Sequence, residues 1–70
     1  MDIGERIKQV LKDSGMTISH FAQALSCSRE NVYRILKKNN IDILLLTRIG
    51  EVLEHDFFKD ISDDYYNSDK

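Results

Sequence analysis

One local pattern occurs three times in this 70-residue chain and decides most of what it can fold into. An apolar residue stands directly before a Ser, Thr or Asp, and a second apolar residue follows five positions after the first. Met16-Thr17 with Phe21, Cys27-Ser28 with Val32, and Ile41-Asp42 with Leu46 all satisfy it. This is the hydrophobic staple around a helix N-cap: the side-chain oxygen accepts from a free backbone N–H, and the two apolar residues fix the angle at which the chain enters the helix. Three helix starts follow from one argument. Before them, Ile3, Ile7, Val10 and Leu11 form a single stripe at helical spacing. Asp2 can cap that helix and Gly15 can end it in the left-handed conformation, which gives a first helix of about Ile3 to Ser14. Asp56, ahead of Phe57 and Phe58, marks a short last helix toward Ile61. No proline interrupts any of these stretches, and the alternating pattern of strands is missing. The fold class expected is all-α, a compact bundle of four to five helices.

The caps at Thr17 and Ser28 are eleven residues apart, so helix two ends near Leu25 and a turn at Ser26-Cys27 launches helix three at a steep angle to it. Phe21, Ala22 and Leu25 share one face of the former, and Val32, Ile35 and Leu36 one face of the latter; small Ala22 lets two backbones approach closely. Helix four, about Ile43 to Glu54, buries Leu46, Ile49 and Leu53, with Leu45 and Val52 beside them. Its apolar face is wider than one neighbour needs. Core is expected for Leu46, Ile49, Leu53 and one of Phe57 and Phe58, which leaves Ile43, Leu44 or the other phenylalanine for a partner. Residues 1–61 form the domain, and 62–70 read as a polar, acidic, disordered tail.

Composition limits the function. A chain this short buries only about 60% of its unfolded surface and has no room for a second domain. Cys27 is the single cysteine, so no internal disulfide forms and a reducing, cytoplasmic setting is expected. Its staple position makes it a core thiol rather than a redox switch. The first residues lack a basic-then-apolar signal, and the longest apolar run, Ile43 to Leu46, is far short of the ~20 residues that span a bilayer. There is no Gly-rich phosphate loop and no nucleophile with a placed base, so an enzyme is not expected. No cofactor is implied. No metal site is either: His20, His55 and Cys27 lack ligand spacing, and the stretch from Asp60 to Asp64 lacks the glycine and glutamate of a calcium loop. The formal charge of -2 and a pI near 5.5 argue at first against a nucleic-acid partner. The distribution says otherwise. Residues 1–54 carry eight Lys/Arg against seven Asp/Glu, a net +1, and residues 55–70 two against five, a net -3. Within 28–40 the balance is Arg29, Arg34, Lys37 and Lys38 against Glu30, a net +3.

Two short helices joined by a tight turn, with a small residue in the first and apolar residues locking both, describe a helix-turn-helix. The stretch from Thr17 to Leu36 resembles that of the Xre/Cro family, the lambda repressor-like DNA-binding domains. Phe21-Ala22, Leu25, Cys27, Ser28, Val32 and Ile35 fall where that family places its core residues. The resemblance runs from Ile3-Gly4-Glu5-Arg6-Ile7 through Leu46-Thr47-Arg48-Ile49 to Leu53, and more loosely to Phe58. It departs at Ser26, where the family usually has glycine, and at His20, where an acidic residue or Gln would complete a reciprocal capping box.

The resemblance implies a lambda repressor-like bundle and a sequence-specific regulator of transcription, a repressor, with helix 28–37 in the major groove of double-stranded DNA. On that helix it points to Ser28, Arg29, Glu30, Tyr33 and Arg34, and Asn31 and Lys37 are further candidates for DNA contact there. The residue pattern agrees, since with Val32, Ile35 and Leu36 turned inward, Arg29, Glu30, Tyr33, Arg34 and Lys37 face out. Arg29 or Arg34 can pair bidentately with guanine, and Glu30 can accept from cytosine. Lys38 in the following loop, Gln23 on helix two and the Thr17 cap are candidates for the DNA backbone. A homodimer would set two reading helices about one DNA turn apart, ~34 Å, and read an inverted repeat. The competing reading is a helical protein-interaction module or antitoxin-like subunit with weak or no DNA binding, in contact with a partner protein. Glu30, the net negative charge and the acidic tail favour it.

Overall fold

All five capping oxygens accept the bond expected of them. Asp2 Oδ1 accepts from the Glu5 N–H at 3.3 Å, Thr17 Oγ1 from His20 at 3.0 Å, and Ser28 Oγ from Asn31 at 3.1 Å. Asp42 Oδ1 accepts from Leu45 at 2.9 Å and Asp56 Oδ1 from Lys59 at 3.1 Å. They open the five helices of the computed structural model, which describes residues 1–67: α1 (Ile3–Ser14), α2 (Ile18–Ala24), α3 (Arg29–Leu36), α4 (Ile43–Leu53) and α5 (Phe57–Asn67). No strand occurs among the described residues.

One core gathers all five helices. Ile7, Phe21, Val32, Ile49 and Phe57 are fully enclosed, one from each helix. Burying side chains of this kind contributes roughly 1.5–3 kcal/mol apiece. The staple residues Phe21, Val32 and Leu46 are buried, and Met16, Cys27 and Ile41 pack, partly buried, against the same core. Helix α1 lies against α3 and α4, α2 against α3, and α4 against α5. Of the two phenylalanines in question, Phe57 is the core residue and Phe58 remains 41% exposed.

Gly4 sets how closely α1 meets α3. Its N–H donates to the Lys38 carbonyl at 3.0 Å, and a Cβ at this position would collide with the backbone oxygens of Leu36 and Lys38. The first helix therefore clamps the C-terminal end of α3 and the loop that leaves it.

The last helix corrects an expectation. It does not stop near Ile61 with a disordered tail beyond; α5 continues through Asn67, and only the part of that expectation on residues 68–70 lies outside the described residues. Phe57, Ile61 and Tyr65 recur at i, i+4 and i+8, a helical stripe that the surrounding aspartates disguise. Ile61 and Tyr65 line a cavity of about 530 Å³ together with Ile3, Ile41 and Leu46, so the extra turns lie along the bundle. Lys59 Nζ pairs with Asp63 one turn on, at 3.3 Å.

Helix α5 is also held by charge. Asp60 Oδ2 accepts from Arg6 Nε on α1 at 2.9 Å and from His55 Nε2 in the α4–α5 turn, where the ring also packs edge-on against Phe57. Partial burial on its own would push the Asp60 carboxyl up. The hydrogen bonds and positive charge of Arg6 and His55 outweigh it and hold the group below the ordinary carboxylate range.

Candidate nucleic-acid interface

The turn between α2 and α3 fixes how α3 is presented. Leu25 ends α2 in right-handed geometry and Ser26 adopts a left-handed backbone at φ 56°. The Cys27 N–H then reaches the Ala22 carbonyl at 2.9 Å, and the Ser26 N–H the Gln23 carbonyl at 3.0 Å. This is a Schellman ending, whose left-handed position usually carries glycine. Serine there costs about 1 kcal/mol, so the turn keeps the geometry glycine would give and stores a little strain. Cys27, half-buried, packs on the core and leads directly to the Ser28 cap.

Two contacts that sequence reasoning did not anticipate brace this turn. Arg48 Nη2, from α4, donates to the Leu25 carbonyl at 3.3 Å, satisfying a carbonyl left free at the end of α2. Arg29 Nη1 donates to Ser19 Oγ at 3.3 Å and so ties the start of α3 to the first turn of α2. No local pattern signals either pair, because each joins residues ten or more positions apart.

Helix α3 is divided cleanly into two faces. Val32, Ile35 and Leu36 are buried. Arg29, Glu30, Arg34 and Lys37 are exposed, as is Tyr33 at 51%, while Asn31 is half-buried. Ser28, Thr17, Gln23 and Lys38 are exposed as well. The Thr17 and Ser28 oxygens are engaged as caps, yet each hydroxyl keeps its proton to donate. Among the described residues Arg34, Lys37 and Lys38 form no ion pair, so their charges face solvent. The Lys38 carbonyl, held by Gly4, anchors the loop that carries the last of these cations.

The result is a helix locked in the core by one face and carrying a cationic edge on the other, the combination that suits phosphate and base edges. Among the described residues no three His, Cys, Asp or Glu side chains gather as metal ligands, and no helix is long and apolar enough to cross a membrane.

A family model, that of the Cro/C1-type HTH DNA-binding domain, matches residues 6–63. Comparison with curated proteins and with solved structures gives no significant match. The matched stretch contains all of α2, the turn and α3, and reaches into α5.

Proposed function

Because the chain belongs to the Cro/C1-type HTH DNA-binding domain family, we propose that it is a sequence-specific repressor that lays α3 in the major groove of duplex DNA and occludes polymerase. Membership makes it a double-stranded-DNA-binding regulator of helix-turn-helix type. The observation that carries the finer reading is the outward face of α3. Arg29, Glu30, Tyr33 and Arg34 stand exposed on a helix whose other face is locked in the core, with Arg34, Lys37 and Lys38 unpaired among the described residues. In this reading Arg34 and Arg29 take base edges, Arg29 leaving Ser19 to do so, and Glu30 accepts from cytosine. Asn31 and Tyr33 flank them. Ser28, Thr17, Gln23, Lys37 and Lys38 hold phosphates.

The same reading includes a homodimer on an inverted repeat. Ile43 is 70% and Leu44 79% exposed at the start of α4, and Phe58 is 41% exposed on α5. Large apolar side chains left exposed in this way support association, and a two-fold pair would carry two copies of α3 to successive major grooves.

Selection of duplexes from a random pool by the full chain tests the reading. The expected outcome is enrichment of an inverted repeat with half-sites about one helical turn apart. Absence of any enrichment even at ~50 mM salt, where phosphate contacts are strongest, contradicts it and leaves the interaction-module reading that Glu30 favours.

A further inference from the structure

Between α1 and α3 lies a groove of about 580 Å³ that the DNA reading does not use as a whole. Its floor is apolar: Leu11, Met16, Ile18, Leu36 and the ring of Tyr33. Its rim is basic, with Lys8 and Lys12 on the α1 side and Lys37 on the α3 side against one acid, Glu5. None of these three lysines forms an ion pair among the described residues.

We propose that this groove docks an acidic amphipathic helix of a partner protein, and that the partner so bound competes with DNA. Lys8 and Lys12 are one helical turn apart and face the same way, so they match two acidic groups at the same spacing on a docked helix. Leu, Ile or Phe between those acids fills the apolar floor. This is the helix-in-groove mode, with charge setting the register. A phosphate backbone would use the lysine rim alone and leave the apolar floor uncovered. A second copy does not supply the acids through α5 either: Asp60 is held by Arg6 and His55, Asp63 by Lys59, and Asp64 by the Met1 amino group. Tyr33 and Lys37 belong both to the groove and to the outward side of α3. A helix seated here covers them. The competition rests on the DNA reading above; the docking does not.

Selection of displayed random 16-residue peptides on the full chain is the test. Enriched peptides are expected to carry two or more Asp/Glu flanking Leu, Ile or Phe at helical spacing. Joint Lys8→Glu and Lys12→Glu should lower their affinity at least tenfold, Lys8→Gln with Lys12→Gln by a smaller step, and Lys59→Glu on α5 not at all, with helix content unchanged in each. An enriched peptide should also raise the apparent Kd for a selected duplex. No enrichment, enrichment of non-acidic peptides, or binding insensitive to the double reversal overturns the proposal. So does a double reversal that abolishes duplex binding and spares the peptide. Decanoate that shifts the amides of Leu11, Tyr33 and Leu36 while no peptide is enriched assigns the groove to a small amphipathic anion instead. A peptide that binds while no duplex is enriched leaves the docking standing and removes the DNA reading.

Discussion

Two helix pairs in this chain are wired alike and dressed in opposite ways. Helices α2 and α3 meet across a left-handed residue, Ser26, and α4 and α5 across another, Glu54, at φ 56° and 52°. In both, the N–H directly after the left-handed residue returns to a carbonyl five residues back: Cys27 to Ala22, and His55 to Gly50, each at 2.9 Å. What the following helix shows to solvent then diverges. Helix α3 presents Arg29, Arg34 and Lys37, and α5 presents aspartates with Phe58 and Ile61 between them. A shared backbone device delivers a basic edge at one end and an acidic, partly apolar edge at the other. Net charge averaged over both describes neither.

The largest expected effect lies where α1 clamps the first pair. Helix propensity alone makes Gly4→Ala stabilising by about 1 kcal/mol. Contact with the Leu36 and Lys38 carbonyls reverses the sign, and a net loss of about 3 kcal/mol is expected. At ~4–8 °C per kcal/mol for a domain of this size, Tm should fall by more than about 10 °C in a thermal melt. A rise would show that α1 does not hold α3.

The second pair is anchored by Asp60, whose side chain is 17% exposed beside Arg6. Asp60→Asn should cost about 1–2 kcal/mol at neutral pH, since hydrogen bonds to charged groups are worth ~1.5–3 kcal/mol and Arg6 is partly exposed. Its carboxyl is lowered in the folded chain. The stabilisation is therefore complete above the unfolded value of about 3.9 and is lost as pH falls through the folded one. Tm measured against pH should drop more steeply below about pH 4 in the parent than in the variant. Parallel curves would mean that Asp60 does not hold α5.

The smallest effect compares the two turns directly. Ser26→Gly and Glu54→Gly each relieve a left-handed residue by about 1 kcal/mol and give part of it back through a freer unfolded chain. Each should gain about 0.5 kcal/mol, a rise of ~2–4 °C. A rise at one site and a fall at the other would end the parallel.

Helices α1 to α4 and the division of α3 into two faces were legible because they rest on local rules: caps at fixed offsets and apolar residues at 3.6 spacing. Ile3, Phe21, Val32 and Leu53 sit in the core as their period requires. The end of α5 was obscured because Phe57, Ile61 and Tyr65 are diluted by Asp60, Asp63 and Asp64, and what keeps the helix in place, Arg6 on Asp60, spans 54 positions. The contacts of Gly4, Ser19 and Arg48 are hidden in the sequence for the same reason. Each acts on a partner that only the folded chain brings near. The outward residues of α3 were foreseeable by elimination, whereas the bond from Arg29 to Ser19 was not.

The central claim is that α3 reads base sequence. Titration of the parent chain and Arg34→Ala on the selected duplex, and on duplexes changed one base pair at a time within the half-site, tests it directly. Loss of a bidentate base contact is worth about 1–3 kcal/mol of discrimination, so the variant should bind the selected duplex roughly 5- to 150-fold more weakly and lose preference at one position alone. An equal weakening on every duplex, or none, would contradict the account.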